Sequence, residues 1–101
     1  MYIVQILLPL FDNRGEPFSD GLMGEIREGL VAVFGGVTAF SRTPAEGVWS
    51  DHGRKIRDEI VLVEVMVQDL DPVWWRDFRI DLEKRLSQKS IVVRAFAIAR
   101  M

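Results

Sequence analysis

The chain has 101 residues, of which 49% are hydrophobic and 28% charged, and its formal net charge at pH 7 is −2. These proportions are typical of one globular domain and argue against a disordered chain, while the slight acidity and the lack of a basic stripe argue against a nucleic-acid partner. The absence of cysteine excludes disulfides, thiolate nucleophiles and thiolate metal sites, and it favours a cytoplasmic protein.

The chain reads as two successive strand–helix–strand units. Ser19 is a plausible N-cap for the first helix and Gly35 a plausible end, while Asp71 followed by Pro72 marks the start of the second helix. The predicted elements are strands over 2–10, 37–42, 60–67 and 90–99, and helices over 19–34 and 72–86. This order predicts an α+β fold, a ferredoxin-like βαββαβ sandwich in which a four-stranded antiparallel sheet carries two helices on one face. We expect residues 1–101 to form this single domain.

Residues near 43–59 are predicted to form a hairpin arm that extends beyond the sheet. His52, the only histidine, lies in the expected turn, so any step that needs an imidazole must use it. The alternative is an exposed histidine without a catalytic role, which leaves His52 a weak catalytic candidate. Trp49 is a large apolar residue in a polar segment, and we expect it either to cover the open sheet face or, preferably, to anchor in a neighbouring subunit.

Alternation along the strands separates a helix-covered face of small or β-branched residues from a bulkier face that is predicted to be open. Gln5, Glu64 and Arg94 belong to the bulkier set and would lie on three neighbouring strands. The predicted open face comprises Ile3, Gln5, Leu7, Thr38, Phe40, Arg42, Ile60, Leu62, Glu64, Met66, Val92, Arg94, Phe96 and Ile98. Such an apolar face needs a cover, and we expect a second copy of the chain to provide it in a homo-oligomer, with a dimer as the expected form.

Two functions remain open on this face. In the first, a homodimer binds a small organic molecule at Gln5, Phe40, Glu64 and Arg94, with Trp49 as a further wall, and could act as a cofactor-free enzyme. In the second, Glu64 and Arg94 satisfy each other, and the face is a structural or protein-interaction surface without a catalytic site. We expect no metal or cofactor, because one histidine and scattered carboxylates match no ligand spacing and no nucleotide-binding motif occurs. No stretch approaches the ~20 apolar residues of a membrane span.

Four short motifs are similar to those of a bacterial family of small uncharacterised domains. They are Phe34-Gly35-Gly36-Val37-Thr38, Gly47-x-Trp49 with Gly53, the stretch 57–59, and Arg85-Leu86-x-Gln88-x-Ser90-Ile91-Val92. The resemblance spans roughly 60 residues and implies a ferredoxin-like fold without implying an activity. The architecture also resembles that of dimeric α+β barrel proteins, which include cofactor-free monooxygenases, isomerases and ligand-binding subunits.

Overall fold

A computed structural model describes the backbone of residues 1–37, 39–51 and 54–101, and the side chains of 1–37 and 60–101. The elements in chain order are β1 (Tyr2–Pro9), α1 (Asp20–Phe34), β2 (Ala39–Asp51), β3 (Arg54–Val67), α2 (Pro72–Arg85) and β4 (Val92–Ala97). The strands lie side by side in the order β2-β3-β1-β4, and each neighbouring pair is antiparallel. The two helices and the antiparallel sheet form an α+β arrangement.

The predicted sandwich with a uniform four-stranded sheet is wrong for this molecule. β2 and β3 have 13 and 14 residues, whereas β1 has 8 and β4 has 6. Among the described residues, the sheet is therefore four strands wide only beside Leu62 to Glu64. It consists of β3, β1 and β4 toward Val67, and of β2 and β3 alone toward Arg54. β1 ends at Pro9, which has no N–H for further pairing, so the long hairpin continues without it.

The segment near 43–59 continues β2 and β3 directly beyond the end of β1. Residues 48–51 of β2 pair with residues 54–57 of β3, and the register shifts between Pro44 and Val48. Such a shift is typical of a bulge, which bends a strand and increases its local twist. The sequence had placed the end of the second strand at residue 42, close to this irregularity.

The alternation predicted for β2 is one residue out of step with the rest of the sheet. Ala39 pairs with Glu64 and Phe40 pairs with Val63, whereas the sequence had grouped residues 40 and 64 on one face. Because directly paired residues belong to the same face, that grouping is wrong. β2 offers no strong apolar–polar contrast between its two alternating sets, so the sequence of this strand could not decide which set meets the core.

The helix boundaries follow the predicted caps closely. Ser19 Oγ accepts a hydrogen bond from the backbone N–H of Leu22 at 3.1 Å, and Gly35 ends α1 with a left-handed φ of 78°. Asp71 Oδ1 accepts bonds from the backbone N–H groups of the second and third residues of α2, each at 3.2 Å. Pro72 occupies the first helical position, where its missing N–H costs nothing.

Both helices pack on the same face of the sheet. Alternate residues of β1 and β3 meet the apolar stripes of α1 and α2 there, which confirms the predicted faces of these two strands. The buried cluster consists of Val4, Ile6, Leu8, Met23, Ile26, Leu30, Val61, Val63, Val65, Val67, Trp75, Leu82, Leu86 and Ile91. Within the part of the chain that the structure describes, no helix combines the length and apolarity that crossing a membrane requires.

Leu82 is fully buried on α2, whereas Ile80 on the same helix is 38% exposed. We expect Leu82→Ala to lower the free energy of unfolding by about 2–5 kcal/mol, because the substitution leaves a cavity in the core. Ile80→Ala, the matched control, should cost less than about 1 kcal/mol. Denaturant titrations followed by circular dichroism measure both values, and equal losses would contradict the position of the core.

Candidate functional site

The face of the sheet opposite the helices carries nine described side chains in three rows, which we call the open face. Each row takes one residue from β3, one from β1 and one from β4, as the two registers of β1 dictate. The rows are Met66–Ile3–Phe96, Glu64–Gln5–Arg94 and Leu62–Leu7–Val92. Two apolar rows therefore enclose one polar row.

The polar row brings together three residues that the sequence had proposed for a ligand site. Gln5 pairs with Glu64 on one side and with Arg94 on the other, so the three positions form a straight line across the strands. Neighbouring strands lie ~4.8 Å apart, which places the backbones of Glu64 and Arg94 ~9.6 Å apart. The Nε–H of Arg94 donates a hydrogen bond of 2.7 Å to Oε1 of Gln5.

The two charged ends of this row do not pair with each other. Arg94 is exposed and its only hydrogen bond to a described residue is the one to Gln5, so both terminal amino groups of its guanidinium lack a described partner. Glu64 is half-buried, and its carboxylate has no hydrogen bond or ion pair with another described residue. A mutually satisfied Glu64–Arg94 pair, one of the two alternatives from the sequence, is absent within the described chain.

The apolar rows leave a considerable hydrophobic area in water. Met66 is 38% exposed, Phe96 46% and Val92 47%, and Leu7 and Leu62 are half-buried. All five surround the polar row. Several exposed apolar side chains on one face of a sheet favour an interaction surface, whereas single exposed ones are common everywhere.

Three further residues proposed from the sequence cannot be placed in this site. The side chains of Phe40 and Trp49 lie outside the described residues, as does all of His52. Only the strand pairing of two of them is defined: Phe40 pairs with Val63, and Trp49 pairs with Ile56. Because Val63 belongs to the helix-covered face, position 40 belongs to that face too, and its predicted place on the open face is wrong. The roles of Trp49 and His52 stay predictions.

The aromatic residues of α2 form part of the core. Trp75 is 6% exposed and stacks on Phe34 with ring centroids 5.1 Å apart, while Trp74 packs edge-on against both rings. Phe78 completes the cluster by stacking on Trp74 at 5.2 Å. Trp75 is therefore part of the core, with Trp74 packed against it.

A cleft of about 360 Å³, which no sequence pattern indicates, lies at the C-terminal end of α2 and is also lined by the loop after β1. Its polar groups largely bond to one another. Asn13 Nδ2 donates to the carbonyl of Ser87 at 3.0 Å and Asn13 Oδ1 accepts from Gln88, while Arg85 contacts Glu25 and Asp81. Ser87 has a left-handed φ of 51°, which sequence alone does not signal at a serine. This network fixes a loop against a helix end.

In the described part of the chain, no three potential metal-binding side chains come together. No family model, no curated protein and no solved structure matches the chain. The resemblance to a bacterial family therefore stays a prediction, and the open face is the surface from which a function can be argued.

Substitutions of two glutamates compare the stability contributed by the polar row with that of a contact that holds the fold together. Glu83 Oε2 accepts a 2.9 Å bond from the backbone N–H of buried Ile91, and its carboxylate also contacts Arg79. We expect Glu83→Ala to lower the free energy of unfolding by about 1–3 kcal/mol, mainly through the bond to Ile91. Glu64→Ala should change it by less than about 1 kcal/mol, because Glu64 has no described partner.

Both variants are compared with wild type by denaturation at low protein concentration, so that self-association does not contribute. A larger loss for Glu64→Ala than for Glu83→Ala would show that Glu64 is satisfied within its own chain.

Proposed function

We propose that this chain is a self-associating domain whose open face is the interface of a homodimer. The observation that supports this proposal is the three-row pattern, in which two apolar rows enclose a polar row with opposite charges at its ends. Met66, Phe96 and Val92 expose apolar surface in these rows, whereas Ile3 is buried. The apolar rows supply a driving force for association, since burying apolar surface stabilises a complex by about 25 cal/mol per Å². The polar row restricts which partner surfaces fit.

The open face is small for a dimer interface, so the proposed dimer should have at most moderate affinity. Three strands ~4.8 Å apart and three rows ~6.8 Å apart cover on the order of 300 Å² in projection. Stable interfaces usually bury about 800 Å² of accessible surface per partner, so this patch lies at the small end. We therefore expect dissociation in the micromolar range unless the β2–β3 hairpin adds contacts.

Phe96 tests this interface because it is 46% exposed on the edge strand β4. We expect the wild-type mass in solution to rise from 11.6 kDa toward twice that value as the concentration passes through the micromolar range. Phe96→Asp should remain at 11.6 kDa throughout, because a carboxylate in the apolar row would be buried without a partner. Sedimentation equilibrium measures both proteins.

The matched control is Val73→Asp, which places the same charge at a residue of α2 that is 57% exposed and belongs to the helix side. This variant should associate like wild type. A wild-type protein that stays monomeric at concentrations about 100-fold above the micromolar range contradicts the proposal. A dimer that survives Phe96→Asp contradicts it as well.

A small organic molecule bound at the polar row is the second candidate function. The carboxylate of Glu64 and the terminal amino groups of Arg94 have no partner among the described residues, and this favours a ligand, since ligand sites combine apolar walls with a few convergent polar groups. Such a molecule would carry polar groups toward Glu64 and Arg94 and apolar groups toward the flanking rows.

We also propose that the protein is cytoplasmic, a location that the absence of cysteine supports.

Native mass spectrometry of the purified protein tests this second candidate. A bound molecule should appear as extra mass on the folded protein, and Glu64→Gln should remove it because the neutral amide cannot attract a cationic group. The control Asp77→Asn changes the same charge at an exposed residue of α2 and should retain the extra mass. Extra mass that persists in Glu64→Gln contradicts a ligand at the polar row.

A further inference from the structure

We propose that the two copies are related by a two-fold axis that runs along β1, so that Glu64 of each copy faces Arg94 of the other. This inference rests on the proposed homodimer and adds its symmetry and its specific contacts. The occupant of the open face is therefore a second copy of this chain, recognised by its complementary charges.

The geometry leaves two limiting arrangements when the open faces of two copies meet. The two-fold axis lies between the sheets, because each copy presents the same face to the other. An axis along the strands keeps every row opposite itself and exchanges the β3 side with the β4 side. An axis across the strands along the central row keeps every strand opposite itself and exchanges the two apolar rows.

The charges of the central row distinguish these arrangements. With the axis along β1, Glu64 meets the partner's Arg94 twice, once at each end of the row, and Gln5 meets its own counterpart. With the axis across the strands, Glu64 would meet Glu64 and Arg94 would meet Arg94. Opposed like charges in an interface are unfavourable, whereas close opposite charges between partners give favourable coupling. The axis along β1 is therefore the favoured one.

The two flanking rows agree with this axis. Met66 lies opposite Phe96 when the β3 and β4 sides exchange, and a thioether against an aromatic ring is a favourable contact. Leu62 then lies opposite Val92, which pairs a larger aliphatic side chain with a smaller one. Ile3 and Leu7 of β1 lie on the axis opposite themselves.

The hydrogen bond within the row prepares Arg94 for this contact. Gln5 Oε1 already holds the Nε–H of Arg94 at 2.7 Å, so the guanidinium is oriented before the partner arrives. Its terminal amino groups remain for the partner's Glu64, whose carboxylate lacks a described partner in its own chain. Pre-oriented groups lose less conformational freedom on binding.

The usual twist between packed sheets is compatible with this alignment. Face-to-face sheets cross at about −30°, and rotation displaces residues in proportion to their distance from the centre. Because the polar row is the middle row and its ends lie only ~4.8 Å from β1, the displacement at Glu64 and Arg94 is about 2–3 Å. Glutamate and arginine side chains can span such an offset.

Charge reversal tests the axis directly. Glu64→Arg and Arg94→Glu should each weaken homodimerisation at least about 100-fold, because each substitution creates two like-charge contacts in the symmetric dimer. The double variant Glu64→Arg/Arg94→Glu should regain most of the wild-type affinity, since the opposite charges again face each other. Sedimentation equilibrium gives the dissociation constants, and circular dichroism checks that each variant is folded.

Matched controls separate a specific contact from a change in net charge. Asp77→Arg and Arg76→Glu make the same changes at two exposed residues of α2, on the helix side of the sheet. Neither control should alter the dissociation constant more than about 3-fold. A similar weakening by the controls would overturn the proposed contact.

The neutral variant Glu64→Gln decides between the two axes. It should weaken association if Glu64 faces the partner's Arg94, and it should strengthen association if Glu64 faces Glu64. Stronger association of Glu64→Gln, or failure of the double variant to recover affinity, overturns the axis along β1. If Phe96→Asp still abolishes the dimer in that case, the homodimer proposal stands and only its symmetry is wrong. If Phe96→Asp has no effect, the homodimer itself fails.

Discussion

Strand β1 is the element on which both faces of this molecule depend, because it pairs along one edge with β3 and along the other with β4. Each residue from Tyr2 to Leu7 pairs with one residue of β3 and with one residue of β4, so side chains from three strands form straight rows. On the helix side, Ile6 stands between Val63 and Val93, and these rows form the floor of the core. On the opposite side, the same registers build the rows of the open face.

The two faces differ in the polarity of their central rows. On the helix side, the residues of β1 and β3 are apolar and buried, as a face covered by two amphipathic helices requires. On the open side, the polar row divides the apolar area into two smaller parts. Such a division limits indiscriminate association and lets charge restrict the partner, which apolar contacts alone do poorly.

Contacts on the helix side also hold the strand that carries Arg94. Glu83 of α2 accepts the backbone N–H of Ile91, immediately before β4 begins, and Ile91 is itself buried. The start of β4 is thereby tied to the core, and the rest of the strand pairs with β1. Pairing with β1 consequently defines the positions of Arg94 and Phe96, as the proposed dimer interface requires.

The sequence by itself determined the elements whose signals are local. The caps at Ser19 and Asp71 and the left-handed end at Gly35 depend on neighbouring backbone groups, and they lie where the sequence places them. Apolar alternation in β1 and β3 assigned their faces, because one set of each strand is consistently apolar. It also identified Gln5, Glu64 and Arg94 as members of one face.

Only the tertiary structure decided how these pieces align. Alternation repeats every two residues, so it cannot choose among registers, and in β2 it could not choose the face either. The alignment of Glu64, Gln5 and Arg94 in one row, and the stagger that makes the sheet narrow over most of its length, follow from pairings between strands far apart in sequence. Arg94 bonds to Gln5 and not to Glu64 because β1 lies between β3 and β4, a separation that no local pattern encodes.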